Sequence, residues 1–185
     1  LAKEGMRFTD ASTPSSLCSP TRYAFLTGRY AWRGKLKYGV LQPPEGALLI
    51  EDELFTLPEF LQEQGYATAH VGKWHLNSRQ QFNVPEFPQP GDHGYSYWMY
   101  THNNAIPSHK DPDNFIRNGK EVGKIEGYSA QIVASEAARW LKDIRNPKKP
   151  FVLSVWVHEP HSPIATDTRF SDLYKGHDNA KYMGN

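Results

Sequence analysis

The sequence is poor in cysteine: its 185 residues hold one, Cys18. One cysteine excludes an intrachain disulfide framework and is too few for a zinc–thiolate site. An excess of charge of either sign is also missing. Lys and Arg number 21 against 20 Asp and Glu, spread along the chain, for a formal net charge of +1. That balance leaves no electrostatic footprint for nucleic acid or an anionic membrane. No apolar run approaches the ~20 residues of a membrane-spanning helix. No cleavable signal is recognisable at the start, and there is no repeat or low-complexity tract. What is present is a 38% hydrophobic and 13% aromatic fraction, enough for one domain core or a large piece of one.

Several elements can be read from the order of residues. Leu1-Ala2-Lys3-Glu4-Gly5 reads as the last turn of a helix closed by glycine, which implies preceding chain. Met6 to Asp10 reads as a short strand. Ser19-Pro20 reads as a helix start, with serine as N-cap and proline at the first helical position, and the helix is expected to stop at Gly28. Thr56 and Glu59 form a candidate capping box for a second helix that Gly65 ends. Ala67 to Gly72 reads as a buried strand. Arg79 to Gly127, rich in proline, glycine and asparagine, reads mostly as loop. Ile132, Val133, Ala137, Trp140, Leu141 and Ile144 recur at helical spacing and predict a helix over 128–144. Phe151 to Val157 is nearly unbroken apolar sequence, the pattern of a strand buried on both faces. Alternating strands and helices imply an α/β sandwich with a mainly parallel sheet between helices.

In open α/β sheets, ligands gather beyond the carboxyl ends of the strands. Gly72-Lys73-Trp74-His75 and His158-Glu159-Pro160-His161 both follow predicted strands, and Cys18-Ser19-Pro20-Thr21-Arg22 opens a helix. A helix N-terminus favours an anion, and Arg22, one turn inside, can aim a guanidinium at the same place. Lys73 and His75 are two apart, so an extended segment would point both to one face and Trp74 to the other. The Cys-x-x-x-Arg spacing is too short for the five-residue loop of cysteine phosphatases. Taken alone, a lone cysteine such as Cys18 is more often an inert buried thiol, and a Lys-x-His pair is usually solvated surface.

Together these residues resemble a known family. Cys18-Ser19-Pro20-Thr21-Arg22 matches the Cys-x-Pro-x-Arg signature of the type I sulfatases, and Thr27-Gly28-Arg29 continues it. Gly72-Lys73-Trp74-His75-Leu76 is similar to the second family signature, with Asn77 where glycine is commoner, and Pro160-His161-Ser162-Pro163 resembles a third motif. His93-Gly94-Tyr95 with Trp98 is similar to a segment of the relatives of arylsulfatase A and N-acetylgalactosamine-6-sulfatase.

The resemblance implies an alkaline-phosphatase-like fold, incomplete here, with residues 1–185 forming part of a single catalytic domain truncated at both ends. It implies a sulfuric ester hydrolase in which a formylglycine-generating enzyme oxidises Cys18 to formylglycine. The hydrated aldehyde, a geminal diol, attacks sulfur with one hydroxyl; the second lets a covalent sulfate intermediate collapse. Arg22 would hold the diol, Lys73 a sulfate oxygen, and His75 would take the proton of the second step. His161 would contact the ester and protonate the leaving oxygen. His158 is the competing choice, and a loop hydrogen-bonding role is its plainer reading. The family's calcium suits oxygen ligands, but here only the Cys18-derived oxygen would be supplied. Asp52, Asp92, Asp111, Asp113 and Asp178-Asn179 fall in the wrong order or place and read as ordinary loop residues. The other ligands are expected outside this chain, so the 185 residues alone are expected to be inactive. The expected substrate is a sulfated small molecule or glycan, and the expected location is extracytoplasmic: periplasmic, secreted or lysosomal.

Two other readings stay open: a phosphonate or phosphate diester hydrolase on the same fold, and a non-catalytic chain with an unmodified Cys18. Tyr95, Tyr97, Trp98, Tyr100, His102, Asn103, Asn104 and His109 form an aromatic and amide-rich stretch that could bind sugars or simply pack.

Overall fold

The computed structural model describes residues 2–41, 50–51, 53–77 and 88–176. The expectations for Leu1, Asp52, the 79–87 stretch and Asp178-Asn179 lie outside these residues.

Helix α1 spans Cys18–Thr27. Its N-cap is Leu17, two residues earlier than expected, with no side-chain cap. Ser19 does not cap because its buried hydroxyl accepts from Leu41 N at 3.2 Å and ties down the neighbouring loop. Gly28 closes α1 as expected, in the left-handed conformation at φ 67°, its N–H on Ala24 O at 2.9 Å. Helix α2 spans Leu57–Glu63 behind the predicted capping box: Glu59 N donates to Thr56 Oγ1 at 3.5 Å, and Thr56 N to Glu59 Oε2 at 2.7 Å.

Among the described residues five strands form one sheet in the order β4-β3-β2-β1-β5. They are β1 Ala67–Lys73, β2 Tyr97–Thr101, β3 Ile116–Arg117, β4 Lys120–Glu121 and β5 Phe151–Trp156. β1 pairs in parallel with β2 and with β5, while β3 and β4 add antiparallel pairings. The expected 79–127 loop therefore contains three short strands. Helix α3, Ser129–Arg139, continues into a π-helical turn over Trp140–Ile144, where Arg145 N bonds Trp140 O; together they cover the predicted helix. Helix α4, Thr168–Ser171, is a single turn.

Side-chain alternation builds two layers of core. Val71 and Met99 point to the α3 face and pack with Ile132 and Val133. On the opposite face Tyr23 and Leu26 of α1 pack with Trp74, Tyr95 and Tyr100. Each such buried side chain contributes roughly 1.5–3 kcal/mol.

Two expectations are corrected. Met6 to Asp10 is not a strand; Met6 and Phe8 are exposed and the segment pairs with no described strand. β5 is not buried on both faces. It is the edge of the described sheet, and Phe151 and Val155 remain 44% and 42% exposed. An unbroken apolar run does not report how many neighbours a strand has.

Candidate active site

β1 ends at Lys73, and its last turn of chain is shaped by close approach. Gly72 has φ 110°, and a Cβ there would lie 2.0 Å from Trp156 O. Only glycine lets β1 and β5 close at their carboxyl ends. Beyond them Trp74 N donates to Thr101 O at 2.9 Å and His75 N to His102 O at 2.7 Å, so the pairing with β2 continues past the strand. His75 then adopts φ 57°. A left-handed, non-glycine residue costs about 1–2 kcal/mol. Its ring therefore reaches the site through a left-handed turn, not through the simple strand alternation expected from sequence.

The result is a tight group at the α1 N-terminus. His75 Nδ1 lies 3.1 Å from Cys18 Sγ, and His75 Nε2 lies 3.0 Å from Leu41 O. A carbonyl can only accept, so Nε2 carries the proton and Nδ1 presents its lone pair to Cys18. Burial, then the charge of Lys73, push the His75 pKa down to about 4, so the ring is neutral near pH 7. Arg22 Nη1 donates to Lys73 O at 2.7 Å, and its guanidinium sits 4.6 Å above the Trp156 ring. Burial lowers the Arg22 pKa to about 10, still a cation at neutral pH. Its buried Nε has no hydrogen-bond partner. Lys73 is 2% exposed and donates to Asn104 Oδ1 at 3.0 Å; desolvation lowers its pKa. Among the described residues neither Arg22 nor Lys73 has a carboxylate at ion-pair distance. A buried Lys73 and a half-buried Arg22, without a counter-ion among the described residues, flank Cys18, an arrangement that calls for an anion.

A cavity of about 940 Å³ opens over this group. Cys18, Thr21, Arg22, His75, Asn103 and His161 give it polar walls, and Phe25, Val155, Trp156 and Val157 an apolar one. His161 stands on the exposed loop after β5, its Nδ1 2.6 Å from Ser162 O and 3.1 Å from Asn104 Nδ2. His158 points inward. It is 3% exposed, its Nε2 lies 2.7 Å from Thr101 Oγ1, and its ring packs on Phe115. Burial, reinforced by His109, drives its pKa down to about 3.

The structure thus brings Cys18, Arg22, His75 and His161 to the walls of one cavity, buries Lys73 next to them with its carbonyl on Arg22 and its ammonium on Asn104, and turns His158 away. The aromatic stretch is mostly core: Tyr95, Tyr97, Tyr100, His102 and His109 are buried, and only Asn103 and Asn104 of its polar members reach the site. Trp156 and Thr101 were not singled out in the sequence. Their signal was position, at the carboxyl ends of β5 and β2.

The calcium expected from the family finds little to bind here. Among the described residues no three His, Cys, Asp or Glu side chains group as a metal site. Asp92 accepts from Gln89 N at 2.6 Å, and Asp111 accepts from Gly127 N at 2.8 Å. Both serve their own loops. The Cys18 position itself suits a hydroxylated or anionic group, since the Arg22 charge acts on it. No helix among the described residues is long and apolar enough to cross a membrane.

Comparison with known proteins bears directly on this arrangement. The Sulfatase family profile matches residues 1–183. N-acetylgalactosamine-6-sulfatase of Canis lupus familiaris is 30% identical over 191 residues, covering 92% of this chain and 35% of its own. Arylsulfatase A of Bos taurus is 53% identical over 76 residues, 41% of this chain and 15% of its own. A solved structure in complex with its substrate D-glucosamine-2-N,6-O-disulfate superimposes with a TM-score of 0.68 at 26% identity, covering 95% of this chain and 31% of that one. The chain spans about a third of the length of the dog enzyme. Matched by the family profile along nearly all of its length, and folded like a solved relative, the chain belongs to the sulfatase family.

Proposed function

We propose that this chain carries the nucleophile and sulfate-binding half of a sulfuric ester hydrolase, and that residues 1–185 are part of one catalytic domain. The observation that carries the reading is a pair of cations, a buried Lys73 and a half-buried Arg22, without carboxylate partners among the described residues, beside Cys18 and a neutral His75. A sulfate monoester brings one negative charge to such a place, and its transition state spreads charge onto the sulfuryl oxygens.

Formylglycine at position 18 would supply an oxygen nucleophile and a route for its regeneration. Arg22 holds the oxygens at position 18 from its perch on Trp156. Lys73 binds a sulfuryl oxygen, its desolvation making that contact stronger than in water. His75 presents the Nδ1 lone pair and accepts a proton from position 18, while Leu41 O fixes the tautomer. His161, on the open side, donates a proton to the leaving oxygen. Among the described residues only the oxygen at position 18 is placed to be offered to calcium. A sulfated glycan or small aryl sulfate is the substrate class, a formylglycine-generating enzyme the maturation partner, and an extracytoplasmic compartment the place of action.

The test uses the full-length protein, made in a host with the modifying enzyme. Mass spectrometry of the peptide bearing residue 18 should show loss of the thiol sulfur, and the same preparation should release sulfate from an aryl sulfate. An active preparation in which residue 18 is entirely an unmodified thiol would overturn the mechanism. A higher kcat/KM on an aryl phosphodiester than on the sulfate would reassign the substrate.

A further inference from the structure

Asn104 lies between the two stations of the site and touches both. Its Oδ1 accepts from Lys73 Nζ at 3.0 Å. Its Nδ2 lies 3.2 Å from Ser162 O and 3.1 Å from His161 Nδ1. These contacts cannot all be made in one protonation state. With the proton on His161 Nδ1, that N–H donates to Ser162 O at 2.6 Å, and the amide N–H turns to the same carbonyl. With the proton on Nε2 alone, Nδ1 is an acceptor and takes the amide N–H directly. In either state one amide group spans from the Lys73 ammonium to the His161 loop.

The amide is itself held. Asn104 O accepts from Asn114 Nδ2 at 3.0 Å, and Asn114 Oδ1 accepts from Ile106 N at 2.9 Å. One residue earlier, Thr101 Oγ1 donates to Asn103 O at 2.7 Å, which leaves that hydroxyl to accept from His158 Nε2–H. The segment at the carboxyl end of β2 is thus tied from both sides, and the side chain of Asn104 is aimed between β1 and the β5 loop. Lys73 is buried, and among the described residues its ammonium has no side-chain acceptor other than this amide, so without it nothing fixes where the ammonium points.

Resting on the sulfate-hydrolase reading above, we propose that Asn104 is a positioning residue that couples the two stations: its Oδ1 fixes the Lys73 ammonium on the sulfuryl oxygens, and its Nδ2 fixes the His161 ring against the leaving oxygen. It touches no reacting atom. Its contribution to the reaction is therefore divided between two groups with different jobs, and that division can be read separately.

The division shows with leaving groups. A nitrophenolate departs without a proton, so its ester needs Lys73 but not His161. A sugar alkoxide needs both. Asn104→Ala in the full-length protein should lower kcat/KM on a sugar sulfate by roughly 10- to 100-fold, the scale of lost outer-shell orientation, and on 4-nitrophenyl sulfate several-fold less. Asn104→Asp keeps the shape and the acceptor to Lys73 but sets a carboxylate on that ammonium. It should raise KM for both esters, because the lysine charge is then satisfied within the protein. A thermal midpoint within a few degrees of wild type identifies variants that fold. Equal losses on the two esters, or an unchanged KM for Asn104→Asp, would overturn the assignment. A wild-type protein silent on both esters would instead sink the hydrolase reading on which it rests.

Discussion

The two sides of the cavity are built differently. Cys18, Arg22, Lys73 and His75 stand on α1 and at the end of β1, buried or half-buried; Cys18 meets the His75 ring, and the other three are held by a main-chain carbonyl, an aromatic face or an amide. His161 stands on an exposed loop; its N–H bonds His158 O, and its ring is held by Ser162 and Asn104. The first side concentrates fixed charge and shuts out water, which is what stabilising a developing anion requires. The second side keeps its imidazole in contact with solvent, which is what a group exchanging protons with bulk water requires. Charge stabilisation needs rigid burial, whereas proton delivery tolerates a mobile mount.

Mutation should expose that asymmetry. Lys73→Ala and His75→Ala, made in the full-length protein, are expected to lower turnover by roughly 10²–10⁴-fold on every ester, activated or not. His161→Ala should match them on a sugar sulfate and fall well short of them on 4-nitrophenyl sulfate. Steady-state kinetics on the two esters checks this. A uniform loss for all three variants would erase the distinction between the sides, and an essential His158 beside a dispensable His161 would reverse the reading of the third motif.

The rigid side depends on one glycine. A Cβ at Gly72 would meet the Trp156 carbonyl at 2.0 Å, at φ 110°. Gly72→Ala must either part β1 from β5 or move Trp156 from under Arg22. We expect a loss of about 3 kcal/mol of stability, read from denaturant midpoints. Gly119→Ala, where nothing lies within 4 Å of the added atom but φ is +80°, should cost only the backbone strain, about 1 kcal/mol. Equal losses at the two positions would show that crowding between β1 and β5 is not what demands glycine.

Much of this was legible in the sequence, for identifiable reasons. The capping box at Thr56, the stop at Gly28, the β1 strand and the α3 periodicity are local signals, and the structure has each of them. The residues that gather at the cavity were also named, because ligands collect at the carboxyl ends of strands and the motifs stood there. What local signals could not carry was long-range. The apolar run of β5 did not say that it would be an edge. The left-handed turn at His75 depends on pairing with His102, and the inward turn of His158 depends on Thr101. Asn104 stood in a stretch whose aromatic members are core, and only its place between Lys73 and His161 sets it apart.

His158 sharpens the contrast at lower cost. It shares the His161 loop but belongs to the interior, where Thr101 and Phe115 contain it. His158→Asn should leave the leaving-group dependence of turnover unchanged while lowering the thermal midpoint. A changed dependence would place His158 in proton delivery after all.

The smallest expected effect tests how dry the rigid side is. His70, fully buried, sits on the α1 face of β1 with ring centroids 5.1 Å from Trp74, 5.4 Å from Tyr95 and 4.9 Å from Trp156. Burial first, and Arg22 second, push its pKa down to about 3. In the unfolded chain the same ring titrates near the ordinary value of about 6.5. Between those two values the unfolded state holds a proton that the folded state refuses. The stability of the neutral ring is therefore whole above pH ~6.5 and is lost progressively as the pH falls toward 3. At pH 5 the loss from this one residue is about 2 kcal/mol. Phenylalanine fills a similar volume and cannot titrate. The offset between His70→Phe and wild type at pH 7.5, where the imidazole is neutral, reports packing and not protonation. The change between pH 7.5 and pH 5 does: the thermal midpoint of the full-length variant should fall less than that of wild type. Parallel falls would mean that His70 takes up its proton in the folded state, and that water or a counter-ion reaches the aromatic cage beneath Arg22.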